Sequence, residues 1–359
     1  MPQGLHYLHL FMRDFMSFEL LKTLCATPGV PGREEQFREV VRAEIAPSAE
    51  TITTDAMGNL FALRKGKSST PRKIMIAGHM DEIAFVVKHI TKDGFVYFHP
   101  LGGFDPRTLI AQRVKVYGTR TLDGVIAIKA AHFTTPEERG KVIPLNDLFI
   151  DLGLSGEEAK EVVSIGDCIT MERELIKMGN FYTGKTLDDR VGVYVMLEVF
   201  RAFTESQDDI YAVATVQEEI GLRGAKTASF SLQPDIGIAL DITIAADTPG
   251  VDEKDHCVKM GGGVGIKILD SSSICHPGLV RFLRELAERK GIKYQMEVLP
   301  AGGTDAGGIQ LSRGGTPVCT LSIPCRYTHS VVESVHKDDV QATIDLLRAF
   351  IEHSHEFQF

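Results

Sequence analysis

Helical and extended hydrophobic patterns alternate along most of this chain. Leu20, Leu21 and Leu24 share one face of a helix that Ser17 can cap and that Thr27-Pro28-Gly29 ends. A second helix is expected over residues 34–45, followed by extended runs at 60–64 and 73–77. The second run, Lys73-Ile74-Met75-Ile76-Ala77, leads into Gly78-His79-Met80-Asp81, and a buried strand ending in polar residues is where open α/β sheets place their sites. Between residues 83 and 171 the pattern changes to short strands at 95–99, 113–117 and 124–129, separated by Gly and Pro and without a long amphipathic helix. That texture predicts a small β-rich domain inserted into an α/β one. Beyond Lys185 the alternation resumes, with helices near 193–203, 223–230, 278–290 and 338–353 and strands near 211–216, 236–241, 294–299 and 317–323. Strand alternating with helix predicts a mostly parallel or mixed sheet covered on both faces.

Composition narrows the class. A chain of 359 residues has room for two domains of about 150 residues each. Its 43% hydrophobic and 24% charged residues are the balance of a folded globular protein. The net charge of −9, with no dense Lys/Arg run, argues against nucleic acid as a partner. No membrane span is expected, since the most apolar N-terminal stretch, residues 5–12, is short and broken by His6 and His9. It also lacks the basic start and small-residue cleavage site of a signal peptide, and Met16 is an alternative start that would leave residues 1–15 peripheral. The six cysteines are dispersed, without a CxxC pair, which predicts reduced thiols, a cytoplasmic location and no zinc–thiolate site. Any metal is then expected on His, Asp and Glu.

Five motifs fall at or beyond predicted strand ends or in adjoining turns: Gly78-His79-Met80-Asp81, Leu187-Asp188-Asp189-Arg190, Gln217-Glu218-Glu219-Ile220-Gly221, Leu240-Asp241 and Tyr327-Thr328-His329. Singly, each reads as a surface or satisfied histidine, a solvated turn or a cap. Together they supply the oxygen and nitrogen ligands that suit two divalent ions such as zinc, cobalt or manganese. Glu218 and Glu219 come just after the apolar run Ala212-Val213-Ala214-Thr215-Val216, separated from it by Gln217, and two carboxylates at the tip of a buried strand are costly without a cation. The spacing of His79 and Asp81 would let the carboxylate hold the second N–H of the imidazole.

The ordered set HMDE, LDDR, VQEEIGLRGA, a strand ending in Asp, GGTDAG and RYTHS resembles the TET-type dinuclear aminopeptidases, which belong to the glutamyl-aminopeptidase-like metallopeptidases. Some of these have been labelled cellulases. The resemblance spans nearly all of the chain after Met16. It implies a mixed-sheet, three-layer α/β metallopeptidase domain from residues 1–82 and 172–359, with a small β-barrel-like oligomerisation domain at 83–171. It implies that His79 and Asp241 bind one metal, that Glu219 and His329 bind the other, and that Asp188 bridges both. Glu218 matches the general base, and Asp81 the partner of His79. Ala84 stands where the resemblance leads one to expect Gly. The expected cofactors are two divalent ions, zinc first. The expected partners are peptides with free N-termini and further copies of the chain, twelve built from dimers.

The mechanism this set implies is hydrolysis of the first peptide bond by a water held between the two ions, with Glu218 taking its proton and passing it to the leaving amine. Neutral aliphatic N-terminal residues are the expected preference. Two other classes are weighed. A glycoside hydrolase using Glu218 and Glu219 fits poorly, because such enzymes hold their carboxyl groups about 5–9.5 Å apart across a sugar, and the chain has no Trp for sugar stacking. A non-catalytic oligomeric binding protein on the same scaffold would not need every ligand and Glu218. Residues 301–308 lack the Lys-Ser/Thr of a P-loop; the resemblance implies that they lie against the substrate pocket, and by themselves they read as a tight turn before a helix. Gly261-Gly262-Gly263 reads as a flexible turn, His276 as structural, and Asp105-Pro106-Arg107 as a turn.

Overall fold

The computed structural model describes residues 18–358, so the Ser17 cap and residues 1–15 lie outside it. Helix α1 (residues 18–26) buries Leu21 and Leu24, and α2 (Glu35–Ile45) buries Phe37, Val41 and Ile45 at helical spacing. Strands β1 (Thr51–Thr54), β2 (Leu60–Arg64) and β3 (Lys73–His79) follow. Then come β4 (Ala84–Ile90), β5 (Val96–Leu101), α3 (Pro106–Leu109), β6 (Arg113–Tyr117), β7 (Thr121–Ala127), α4 (Pro136–Arg139), β8 (Phe149–Asp151), α5 (Gly156–Val162) and β9 (Cys168–Met171). The chain continues through β10 (Ile176–Met178), β11 (Phe181–Gly184), α6 (Leu187–Ala202), β12 (Asp209–Thr215), α7 (Arg223–Leu232) and β13 (Ile236–Ile244). It finishes with β14 (Val264–Leu269), α8 (Pro277–Lys290), β15 (Tyr294–Val298), α9 (Asp305–Gln310), β16 (Val318–Arg326), β17 (Glu333–His336) and α10 (Lys337–His353).

Eleven strands form one mixed sheet in the order β1-β2-β12-β3-β13-β16-β17-β11-β10, with β14 pairing β16 and β15 pairing β14. Its centre, β12-β3-β13-β16, is parallel. Parallel strands need cover on both faces, which is why β3 carries the unbroken apolar run Ile74 to Ala77 rather than an alternating one. Successive side chains point to opposite faces. Ile74 and Ile76 pack with α1, α2, α6, α8 and α10, while Met75 and Ala77 pack with α7 and α9. The result is the expected three-layer α/β domain.

The six strands β4 to β9 close into an antiparallel barrel in the order β4-β5-β8-β7-β6-β9. Closure removes free edges. The barrel has its own core around Phe85, Val114, Val116, Ile150 and Ile169. First and last strands pair, with Phe85 opposite Ile169, so the ends of the inserted segment lie side by side. Ala84 begins β4 and is fully buried. Among the described residues, no helix is long and apolar enough to cross a membrane.

Candidate active site and metal-ligand cluster

Parallel strands present their C-terminal ends along one edge of the sheet, and the polar motifs gather there. His79 is the last residue of β3. At the end of β12 the chain leaves the sheet after Thr215, and Gln217, at φ +56°, turns it so that Glu218 and Glu219 face back over the strand ends. Asp241 lies within β13, which continues to Ile244; it is not the strand end expected from the sequence. Asp188 and Asp189 depart from helical geometry at the start of α6. His329 follows β16, also in the left-handed region.

The structure brings all seven sequence-predicted residues together. His79 Nε2 lies 3.1 Å from Asp188 Oδ1 and 4.0 Å from Glu218 Oε2. His329 Nε2 lies 3.3 Å from Asp188 Oδ2 and 3.5 Å from Glu219 Oε2. Two groups of potential ligand atoms result, each within 4.8 Å: His79, Asp188 and Asp241, and Asp188, Glu219 and His329. Asp188 is common to both. Asp81 differs from expectation. Its backbone carbonyl is the nearer partner of His79 Nδ1, at 3.0 Å, while its carboxylate is 3.6 Å from that nitrogen. The carboxylate instead accepts the backbone N–H groups of Glu218 and Glu219, at 2.9 and 3.1 Å.

The cluster is short of positive charge. Burial pushes Glu219 up to about 8, reinforced by the charge of Asp188. Burial likewise holds Glu218 and Asp241 well above the usual carboxylate range. Burial would lower His329, but contact with Asp188 and the charge of Glu219 override it and raise the imidazole to about 10. His79 is raised the same way, against burial, by Asp188 and Asp81. Asp188 is held below its ordinary value, since His329 and His79 outweigh its burial. Acids that retain protons beside imidazoles that also retain them mark a place where added cations would be stabilising. Glu219 Oε1 is buried with no hydrogen-bond partner, a lone pair left for a ligand that the protein does not supply.

Several supporting residues take no role from the sequence alone, although Asp189, Glu82 and Asp305 stand within its motifs LDDR, HMDE and GGTDAG. Buried Glu333 accepts the N–H of Asp188 at 3.0 Å and of His329 at 2.8 Å, tying two candidate ligands to one carboxylate. Asp189 accepts the N–H of His79 at 3.2 Å. Glu82 pairs with Lys185 at 2.6 Å and accepts the N–H of Gly29. Asp305, pushed up to about 6 chiefly by burial, accepts the hydroxyl of Thr215 at 2.5 Å, and Thr215 lies opposite His79 in the β12–β3 register.

A cavity of about 480 Å³ opens beside the cluster, with Leu222, Ile242, Ile244, Leu299 and Lys267 among its lining residues. Lys267 is wholly buried and offset by Glu297 at 3.2 Å and Asp270 at 3.5 Å. Gly302, Gly303 and Thr304 line this cavity and Asp305 starts α9, so both sequence readings of residues 301–308 hold. The triple glycine is pinned rather than flexible, because Asp339 accepts the N–H groups of Gly261 and Gly263 at 2.7 Å each. His276 caps α8 through Nδ1, and Asp105 caps α3.

Fold and cluster together define a hydrolase, and comparison with known proteins gives its family. The model of the M42 glutamyl aminopeptidase family matches residues 58–346, and the chain belongs to that family. A putative aminopeptidase of Acetivibrio thermocellus is 42% identical over 337 residues, covering 94% of this chain and 98% of the relative. The solved aminopeptidase APDkam598 from the archaeon Desulfurococcus kamchatkensis superposes with a TM-score of 0.90 at 41% identity, covering 94% of this chain and 95% of that one. The TET1 peptidase of Pyrococcus horikoshii, which can assemble into a tetrahedron or a large octahedral shell, superposes with a TM-score of 0.84 at 33% identity, covering 94% of this chain and 99% of that one. The protein is thus a hydrolase acting on peptide bonds, and the glycoside-hydrolase and non-catalytic alternatives are set aside.

Proposed function

We propose that this chain is a metal-dependent aminopeptidase whose two divalent ions share Asp188, one held also by His79 and Asp241, the other by Glu219 and His329. The observation that carries this reading is the common position of Asp188 in both ligand groups. Family membership implies divalent metals, and the orphaned Glu219 oxygen and proton-retaining carboxylates suit them. When bound, the ions supply Lewis-acid polarisation of the scissile carbonyl and of a hydrolytic water. Zinc is the first expectation from the mixed imidazole and carboxylate set, with cobalt or manganese as alternatives.

The protein's own groups do the rest. Glu218 lines the cavity without belonging to either ligand group, which fits it to take a proton at Oε2 and deliver it to the leaving amine. Asp81 positions both glutamates through their amides and fixes the ring of His79 through its carbonyl. The carboxylate-rich wall favours a substrate ammonium, which confines cleavage to the N-terminus. Leu222, Ile242, Ile244 and Leu299 suit a neutral aliphatic first residue, and Lys267, matched by Glu297 and Asp270, adds no free charge.

The same reading makes residues 83–171 the dimerisation module of a dodecamer. Phe133, Val142 and Ile165 of that segment are strongly exposed, which supports cover by another subunit, and the TET1 assemblies point the same way. Six free cysteines suit a reducing, cytoplasmic setting. The test is a panel of aminoacyl-p-nitroanilides on metal-stripped protein reloaded with zinc, cobalt or manganese, with N-acetylated peptides as controls and light scattering for assembly. Metal-restored release from free-amine leucyl substrates alone is expected. Cleavage of acetylated peptides would overturn the reading, and a monomer at micromolar concentration would overturn the assembly.

A further inference from the structure

A second cavity, of about 620 Å³, adjoins the first through Thr328 and His329, which line both. It lies where the barrel meets the catalytic domain, between the loop that carries Phe104 and the turn at Tyr327, with Arg107, Gln112 and Arg173 on its wall. The two cavities have opposite electrical character. The first is lined by Asp188, Glu218, Glu219 and Asp241, and its one lysine, Lys267, is buried against Glu297 and Asp270. The second holds two guanidinium groups and the single carboxylate of Asp105.

The two arginines differ in what occupies them. Arg107 is already forked onto Asp105, with Nε 2.9 Å from each carboxylate oxygen. Arg173 Nη2 donates to Gln112 Oε1 at 3.0 Å, and this neutral amide is its partner. Among the described residues no carboxylate forms an ion pair with Arg173. A guanidinium carries five N–H donors in a planar fork suited to one carboxylate, so most of this fork is left for a ligand.

Resting on the reading that the N-terminal residue fills the first cavity, we infer that the second cavity binds the peptide beyond the scissile bond, with Arg173 receiving a carboxylate of that leaving portion. A short peptide at neutral pH has an ammonium at one end and a carboxylate at the other, and the two cavities present complementary charge in that order. The two cavities meet at Thr328 and His329 beside the cluster, so a chain held by its N-terminus in the first can continue into the second. The carboxylate can be the C-terminus of a short peptide or an acidic side chain just after the cleaved bond. Both present the same chemistry to the fork.

The experiment uses the metal-loaded enzyme and two matched pairs, Leu-Gly-Gly against Leu-Gly-Gly-amide and Leu-Asp-Gly-amide against Leu-Asn-Gly-amide. At least one carboxylate form should be favoured about three- to fivefold in kcat/KM, mainly through KM, the scale of one exposed charge pair. The pair that shows the preference identifies the source. In Arg173→Gln that ratio should fall to about one, and in the unsubstituted enzyme raising the salt concentration should compress it. Calorimetric binding of the same peptides to Glu218→Gln should show the same ordering without turnover. Equal handling of acid and amide in both pairs, or a ratio unchanged in Arg173→Gln, would overturn the inference. Leucyl-p-nitroanilide is the separate control: if the unsubstituted enzyme does not cleave it, the aminopeptidase reading fails first.

Discussion

Asp81 Oδ1 accepts the backbone N–H of Glu218 at 2.9 Å, across 137 residues of chain. Its other oxygen takes the N–H of Glu219, so one buried carboxylate sets both glutamates relative to His79. Asp81→Asn replaces one acceptor with an NH₂ that opposes an amide N–H. We expect a loss of about 10- to 100-fold in kcat, the usual cost of disturbing groups that orient metal ligands. Steady-state kinetics with metal analysis checks this. Unchanged kcat would show that the amide contacts do not position the site.

On the proposed reading Glu218 transfers the proton while its neighbour Glu219 is a ligand, and substitution tests that assignment. Glu218→Gln should lower kcat by at least about 10²-fold while metal content stays at the level of the unsubstituted enzyme, because proton transfer is lost and coordination is not. Asp188→Ala should do the reverse to metal, since one carboxylate serves both ligand groups. Metal content per subunit by plasma mass spectrometry reads both. Metal loss in Glu218→Gln would move that residue among the ligands.

What the sequence made legible follows from what is local. His79, Glu218 and Glu219 stand out because each lies within three residues of the end of a short apolar run that reads as a buried strand. Glu333 does not, since it sits among Val331, Val332, Ser334 and Val335, and its partners Asp188 and His329 become visible only when the chain is folded. Strand β14 was missed for a related reason. Three glycines precede it and a lysine interrupts it, and Lys267 is tolerable inside the core only beside Glu297 on the neighbouring strand and Asp270 in the turn that follows. The barrel was legible as texture, because short strands broken by Gly and Pro leave a local signature, whereas its closure through β4 and β9 depends on contacts more than 80 residues apart.

Glu333 gives a third test. Glu333→Ala leaves the N–H groups of Asp188 and His329 without their acceptor, at a cost of about 1–3 kcal/mol each if both stay buried. The thermal midpoint of the metal-free protein should fall accordingly, and metal titration should show weaker binding at the group containing His329. Glu333→Gln, which keeps one acceptor, should fall between. Full retention of metal affinity in both variants would reduce Glu333 to a fold-stabilising role.

Removing the metal should make stability depend on pH with a definite sign. In the metal-free protein Glu219 and Glu333 are pushed up to about 8, chiefly by burial, and Glu218 and Asp241 lie above their ordinary range. In the unfolded chain such carboxyls titrate at roughly 4. Between roughly pH 4 and 8 the native state therefore holds protons that the unfolded state has released, and stability falls as pH rises. The two histidines act in the same direction. Each is raised in the native state, His329 to about 10, so the stability they contribute is complete below their unfolded value of roughly 6.5 and is lost as pH rises through the folded one. Asp188, shifted downward, acts oppositely, but only at the acid end of the scale. Chelated protein should thus lose thermal stability progressively from roughly pH 4 to about pH 10, the window set by these shifts. Bound cations oppose the loss by stabilising ionised carboxylates and neutral imidazoles, so the gap between metal-loaded and chelated melting temperatures should widen with pH. Melting curves at three pH values with chelator or with zinc measure that gap; a gap that is constant or narrows would show that these carboxylates and imidazoles are not the groups that the metal compensates.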